Sequence, residues 1–164
     1  MDLPKGLRYS TYEGEKSLSE ITALVEKDLS EPYSVFTYRY FVNVWPMLCE
    51  MIHNEHNELV GVVVCKMDDH AKSGRKRGYI GMLAIREDYR KLKLATKLVQ
   101  IVLERMKNTL GADECILEAE VTNLAALSLY HHLGFFKTKY LHNYYLSGSD
   151  AFRLKHIFTP LAID

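Results

Sequence analysis

The stretch from Gly78 to Leu133 constrains the fold more than any other part of the sequence. Gly78 to Arg86 is a largely apolar run, and Leu94 to Leu110 then places Leu94, Leu98, Ile101, Val102 and Met106 near one face of a helix. Glu114 to Val121 reads as another strand and Asn123 to Leu133 as another helix, with Gly111 and Gly134 directly after the two helical segments as stop signals. Two strands joined through a helix lie parallel with a right-handed crossover. The sheet therefore holds at least one parallel pair, with helices on its faces.

The flanks add antiparallel strands. Met47 to His53 and Leu59 to Met67 are joined by the polar Asn54-Glu55-His56-Asn57-Glu58, and Phe135 to Leu146 and Ala151 to Phe158 surround the turn Ser147-Gly148-Ser149-Asp150. Leu7 to Tyr12 reads as a short first strand, Lys16 to Asp28 as a helix, and Val35 to Trp45 as a second helix ended by Pro46. Ser30-Glu31-Pro32-Tyr33 breaks the helices apart, and Asp68 to Arg77 reads as a charged loop. The expected class is α/β (α+β): a mixed, mostly antiparallel sheet of about seven strands with a parallel central pair and four helices. No repeat, low-complexity block or Pro/Gly/Ser linker marks a boundary, so residues 1–164 read as one domain.

Charge and cysteine content narrow the function. Lys plus Arg and Asp plus Glu each number 21, so no overall charge draws the chain to nucleic acid or anionic lipid. The longest apolar run, Leu59 to Cys65, is far short of the roughly 20 residues a membrane helix needs. Met1 to Ser10 has no apolar core of a signal peptide, so a cytoplasmic protein is expected, with no membrane and no direct nucleic-acid site. Cys49, Cys65 and Cys115 are odd in number and far apart, and read as small core residues rather than a disulfide framework or a zinc clip. His53-x-x-His56 and His131-His132 lack carboxylates at ligand spacing, so no metal is expected.

Three segments carry chemistry. Tyr89 to Thr96 joins an apolar strand to a helix N-terminus and holds Arg90, Lys91 and Lys93; that is a phosphate cradle or a solvated basic turn. In Glu114 to Val121, alternation sends Glu118 and Glu120 to one face, where two carboxylates need partners, water or a task. Asn123 and Tyr130 lie seven residues apart on one stripe of a helix, as a cap and a core aromatic or as site residues.

Together these segments resemble the GNAT acetyltransferases. Arg90 to Ala95 is similar to the family's Arg-x-x-Gly-x-Gly/Ala pyrophosphate loop, and Asn123, Ala125-Ala126, Tyr130 and Leu133-Gly134-Phe135 to its Asn-x-x-Ala-x-x-x-Tyr-x-x-x-Gly-Phe run. The resemblance covers nearly the whole chain. Through Asp28 to Ser34, Tyr38-Arg39-Tyr40-Phe41, Arg77 to Ala84 and Tyr144-Tyr145-Leu146 it narrows to the catalytic subunits of NatC-type N-terminal acetyltransferases. One departure is Lys93, where the family has glycine; lysine either loosens the grip on coenzyme A or adds compensating charge.

The resemblance implies direct transfer from acetyl-CoA to the α-amino group of N-termini beginning with Met and a bulky hydrophobic residue. Glu118 then matches the general base, acting through a water, and Tyr130 the acid that protonates the thiolate. The alternative for Tyr130 is a phenol that only hydrogen-bonds the thiolate, since a tyrosine pKa of about 10 lies above that of a thiol, about 8.5. Met82, Leu83, Ala84 and Ile85, where the family's strand bulges, match the amides facing the thioester oxygen. Arg90, Lys91, Lys93, Leu94, Ala95, Thr96 and Asn123, with Tyr130, match the rest of the coenzyme A site.

Acceptor-binding positions are Leu29, Glu31, Tyr33, Tyr79, Tyr144 and Tyr145. Neighbouring strand residues point oppositely, so Tyr144 and Tyr145 share a site only if the strand twists or ends there. The helix from Val35 to Trp45 is apolar nearly all round, which fits a protein partner or covering loops. Implied partners are nascent protein N-termini, a large auxiliary subunit, a small third subunit and, indirectly, the ribosome. Two other readings remain: a GNAT enzyme acting on lysine or small amines, and a non-catalytic acyl-CoA-binding subunit. Ser30 to Tyr33 with Tyr144-Tyr145 argues against the first, and Glu118 with Tyr130 against the second.

Overall fold

A computed structural model describes residues 2–28 and 33–160. Strands β1 (Arg8–Thr11), β2 (Cys49–His53), β3 (Leu59–Asp69), β4 (Lys76–Ile85), β5 (Glu114–Glu120), β6 (Phe136–Leu141) and β7 (Ala151–Ile157) form one sheet in the order β1-β2-β3-β4-β5-β7-β6. Every neighbouring pair is antiparallel except β4 and β5. The helices are α1 (Glu15–Asp28), α2 (Val35–Val44), α3 (Leu94–Glu104) and α4 (Leu124–His132). This is the mixed sheet with one parallel pair and four helices that the sequence pattern predicts.

Alternation along β3 gives the sheet two apolar faces. Val62 and Val64 join Leu18, Ile21 and Val25 of α1 and Tyr38 and Val42 of α2 in one core. Val63 and Cys65 join Leu98, Val99 and Val102 of α3 and Tyr130 of α4 in the other. Each such side chain contributes about 1.5–3 kcal/mol by leaving water. All three cysteines are buried.

Several boundaries differ from the sequence reading. Pro46 opens a short 3-10 turn, Pro46–Leu48, so β2 starts at Cys49 rather than Met47. The charged loop shrinks, because β3 runs to Asp69 and β4 begins at Lys76. The helix expected through Leu110 widens after Glu104 into a π turn, Arg105–Thr109, which sets Met106 over Gly78. A Cβ on Gly78 would lie 2.4 Å from the Met106 sulfur. β6 stops at Leu141, not Leu146: Asn143 turns left-handed (φ 49°), its N–H bonds Asp150 at 2.8 Å, and the chain leaves the sheet.

The feature that makes a site is the brevity of the parallel pair. β4 and β5 are in register only from Arg77 opposite Glu114 to Tyr79 opposite Ile116. Buried Glu114 fastens that closed end, accepting from Arg75 at 2.6 Å and Arg77 at 2.8 Å with the Lys155 Nζ 3.6 Å away. Beyond Tyr79, β4 follows β3 to Ile85 and β5 follows β7 to Glu120, so the two strands part. Where they part, Ile80 pairs with Cys65 and Met82 with Val64, leaving Gly81 as a bulge. The bulge lies one residue before the expected Met82 to Ile85 segment.

Candidate active site

A cleft of about 530 Å3 fills the gap between β4 and β5, a size suited to a small ligand. Ile80, Gly81, Met82 and Leu83 line it from β4, and Leu117, Glu118, Ala119 and Glu120 from β5. Gly81 has to lack a side chain there, since a Cβ would lie 2.8 Å from the Phe41 ring of α2. Asn123, Ala126 and Tyr130 enter from α4, and Asp28, Tyr33, Tyr79, Tyr144 and Tyr145 close the remaining sides.

Glu118 is the centre of this cleft. Its side chain is 8% exposed. Oε1 accepts from the Tyr144 hydroxyl at 2.8 Å and the Tyr79 hydroxyl at 3.3 Å. Oε2 is buried and, among the described residues, has no hydrogen-bond partner. A buried carboxylate oxygen without a donor is costly unless water or a ligand uses it. Burial, then the Glu118 charge, push the Tyr79 phenol far above the ordinary tyrosine range; burial and the Glu118 hydrogen bond do the same for Tyr144. Both phenols therefore stay protonated and donate to the carboxylate.

Tyr130 lines the same cleft from α4, 5% exposed, its ring edge-on to Phe135 at 5.3 Å. None of the hydrogen bonds among the described residues uses its hydroxyl. Burial raises its pKa far above 10, with Cys65 and Cys115 beneath it adding to the effect. The phenol is thus neutral at physiological pH and can give a proton only to a strong base.

The other expected residues fall into three groups. Met82, Leu83 and Asn123 line the cleft; Ala84 and Ile85 lie in the two cores, and only the edge of β4 brings their backbone near the gap. Asn123 caps α4, its Oδ1 accepting from the Ala126 N–H at 3.2 Å. Arg90 to Thr96 form the loop and first turn of α3, where Leu94 is buried and Arg90, Lys91 and Lys93 are exposed. Lys91 (φ 67°) and Lys93 (φ 59°) are both left-handed, and Lys93 is the N-cap of α3. Lysine thus adopts at position 93 the conformation that glycine takes with less strain.

Tyr33, Tyr79, Tyr144 and Tyr145 meet in the cleft, whereas Leu29 and Glu31 lie outside the described residues. Tyr144 and Tyr145 share it because β6 has already ended, so strand alternation does not separate them. Sequence reasoning missed Asp28, Gly81 and Ala126 as lining residues. A glycine inside an apolar strand was the available signal for the bulge at Gly81; Ala126 stood in the Asn123 to Phe135 run and Asp28 at the head of the Asp28 to Ser34 block, the signals for those two.

The sequence profile of the acetyltransferase (GNAT) family matches residues 18–135. N-alpha-acetyltransferase MAK3 of Arabidopsis thaliana is 48% identical over 152 residues, which are 93% of this chain and 78% of the relative. N-alpha-acetyltransferase 30 of Homo sapiens is 48% identical over 149 residues, covering 91% of this chain but 40% of that longer protein. Among solved structures, a chain of the NatC complex bound to Gag peptide and CoA superposes with a TM-score of 0.89 at 42% identity, covering 93% of this chain and 99% of that one.

Proposed function

The chain belongs to the acetyltransferase (GNAT) family, and from that membership we propose that it is the catalytic subunit of a NatC-type N-terminal acetyltransferase. It transfers an acetyl group from acetyl-CoA to the α-amino group of proteins that begin with Met and a bulky hydrophobic residue. The single observation that carries the reading is the bare, buried Oε2 of Glu118 in the split between β4 and β5, in a cleft that Tyr130 also lines. A gap beside an unladdered strand edge, an unsatisfied carboxylate within it and a helix N-terminus in the chain that follows β4 fit an acyl-CoA and an amine together.

Acetyl-CoA, when bound, supplies an activated acetyl thioester. Arg90, Lys91, Lys93 and the first amides of α3, at Leu94, Ala95 and Thr96, hold its phosphates, and the Asn123 side chain meets it in the cleft. The edge of β4 past the Gly81 bulge offers backbone N–H groups to the carbonyl oxygen. Glu118 takes the proton of the acceptor ammonium, directly or through one water at Oε2; an α-amine with a pKa of about 7.7–8.0 needs only a modest base. Tyr130 stays protonated and hydrogen-bonds the departing sulfur; it passes the proton on only as the tetrahedral adduct collapses, since transfer to a free thiolate of pKa about 8.5 is uphill. Tyr79 and Tyr144 orient Glu118 through Oε1.

Acceptor choice is assigned to the aromatic wall of Tyr33, Tyr79, Tyr144 and Tyr145 and, from the sequence, to Leu29 and Glu31. The exposed Val35, Phe36, Tyr40 and Val44 of α2 support docking of a large auxiliary subunit, with a small third subunit completing the assembly near the ribosome in the cytoplasm. The test is incubation with acetyl-CoA and peptides beginning Met-Leu, Met-Lys or Ser-Glu, plus an N-blocked Met-Leu peptide containing lysine. The Met-Leu α-amine alone is acetylated, and Glu118→Gln abolishes the reaction. Acetylation of the blocked peptide overturns the assignment in favour of a lysine acetyltransferase.

A further inference from the structure

Arg153 on β7 lies directly opposite Glu118 of β5 in the antiparallel register, so both side chains leave the same face of the sheet. The Arg153 Nη2 stands 4.0 Å from the Glu118 Oε1. Among the described residues it is the cation within ion-pair distance of that carboxylate, and Glu118 is the acid within that distance of Arg153. The Arg153 Nε is buried without a hydrogen-bond partner. A half-buried guanidinium held to no other acid and with an idle donor is an expensive structural element. Its cost makes sense if the charge acts on Glu118.

The groups around Glu118 show why one is needed. Tyr79 faces it from β4, Tyr144 and Tyr145 from the β6–β7 connection, Tyr33 from the segment before α2 and Tyr130 from α4. Glu120 lies two residues further along β5, and Asp28 reaches the cleft from α1. Apart from Arg153, the charged groups lining this wall are acids, of which Asp28 is already paired with Arg90 at 2.8 Å. A carboxylate shut in with them and with phenols is short of stabilising charge, and an ammonium entering there is correspondingly favoured over the reactive neutral amine.

We propose that Arg153 is a positioning residue for acetyl transfer: its guanidinium, beside Oε1, orients the Glu118 side chain with Oε2 left for the acceptor and disfavours the protonated amine. The inference rests on the reading of Glu118 as the base. It concerns the proton-transfer step alone: a proton passes from the acceptor nitrogen to Glu118, and Arg153 neither gains nor loses one. Acceptor binding at the aromatic wall and coenzyme A binding at α3 are separate from it.

The experiment compares wild type, Arg153→Met, Arg153→Gln and Arg153→Lys in kcat/KM against pH with acetyl-CoA and a Met-Leu peptide, with thermal melting as the control for folding. Loss of the cation moves the acid limb of Arg153→Met up by about one pH unit, as expected for a charge at this distance in a partly solvated cleft. kcat/KM at neutral pH falls about tenfold, while KM for acetyl-CoA stays within about twofold. Arg153→Lys restores both the limb and most of the rate. If Arg153→Met does not fold, Arg153→Gln, which is shorter but keeps an uncharged amide donor, carries the same comparison. An acid limb unmoved in the folded uncharged variant, whatever its rate, overturns the proposal. Inactivity of wild type on the Met-Leu peptide, or full activity of Glu118→Gln, overturns instead the function on which it stands.

Discussion

Arg90 donates from Nη2 to the Asp28 carboxylate at 2.8 Å, joining the loop before α3 to the last residue of α1. Arg90 also reaches the Ile85 carbonyl at 3.3 Å, so the pair spans the phosphate end of the proposed coenzyme A site and the end of α1 that leads into the acceptor loop. A phosphate and Asp28 compete for one guanidinium, and Asp28 repels the anion as well. Asp28→Asn therefore lowers KM for acetyl-CoA by about two- to fivefold, the worth of an exposed pair of roughly 0.5–1 kcal/mol. The gain shrinks as salt rises. Initial-rate kinetics at two ionic strengths measure it, and an unchanged or raised KM at low salt contradicts the competition.

The two phenols on Glu118 are unequal. Tyr144 donates at 2.8 Å and Tyr79 at the edge of hydrogen-bond range, 3.3 Å. A hydrogen bond to a charged group contributes about 1.5–3 kcal/mol, so Tyr144→Phe lowers kcat/KM by about tenfold or more. Tyr79→Phe costs less through this bond, and equal losses in the two variants would remove the ranking by distance.

The strand–helix–strand–helix order was legible because periods of two and 3.6 residues and terminal glycines are local signals. The same alternation placed Glu118 and Glu120 on one face, where both line the cleft. What stayed hidden depends on contacts between distant residues. The early parting of β4 and β5 follows from pairing register and the ion cluster at Glu114. The end of β6 at Leu141 follows from Asp150, which collects the Asn143 N–H and the Tyr140 hydroxyl across the turn. Arg153 gave no sequence signal, because only the β5–β7 pairing brings it opposite Glu118.

Tyr130 separates catalysis from stability. Its ring packs on Phe135, and its hydroxyl makes no hydrogen bond among the described residues. Removing a hydroxyl that holds no protein hydrogen bond leaves stability nearly unchanged. Tyr130→Phe is expected to melt within about 1–2 °C of wild type, with kcat down about 10²–10⁴-fold, the range for loss of a general acid. A large drop in melting temperature would show that the phenol serves the core instead.

Lys93 carries strain that its family's glycine avoids. At φ 59° a lysine side chain crowds the backbone by about 1–2 kcal/mol. Glycine relieves that but adds unfolded-state freedom worth about 0.4–1 kcal/mol. Lys93→Gly thus gains about 0.5–1 kcal/mol and raises the melting temperature by about 1–4 °C. It also removes one cation from the phosphate end, so KM for acetyl-CoA rises at low salt and recovers relative to wild type at high salt. Calorimetry and the salt series read the two effects separately.

Glu114 ties the closed end of the β4–β5 pair to acid stability. Burial raises its pKa, but the hydrogen bonds from Arg75 and Arg77, helped by Lys155, outweigh burial and leave it below the ordinary carboxylate value. The unfolded chain, with a glutamate near about 4.3, binds more protons than the folded one just below that pH. The contribution of Glu114 is therefore fully present above about pH 5 and is lost as pH falls through the lower folded value. Glu114→Gln leaves three clustered cations without their acid, at a cost of about 3–5 kcal/mol at neutral pH. Denaturant unfolding at about pH 7 and about pH 3 should show that deficit large in the first condition and much reduced in the second. Equal deficits at both would mean that the cluster holds the strands by shape rather than by charge.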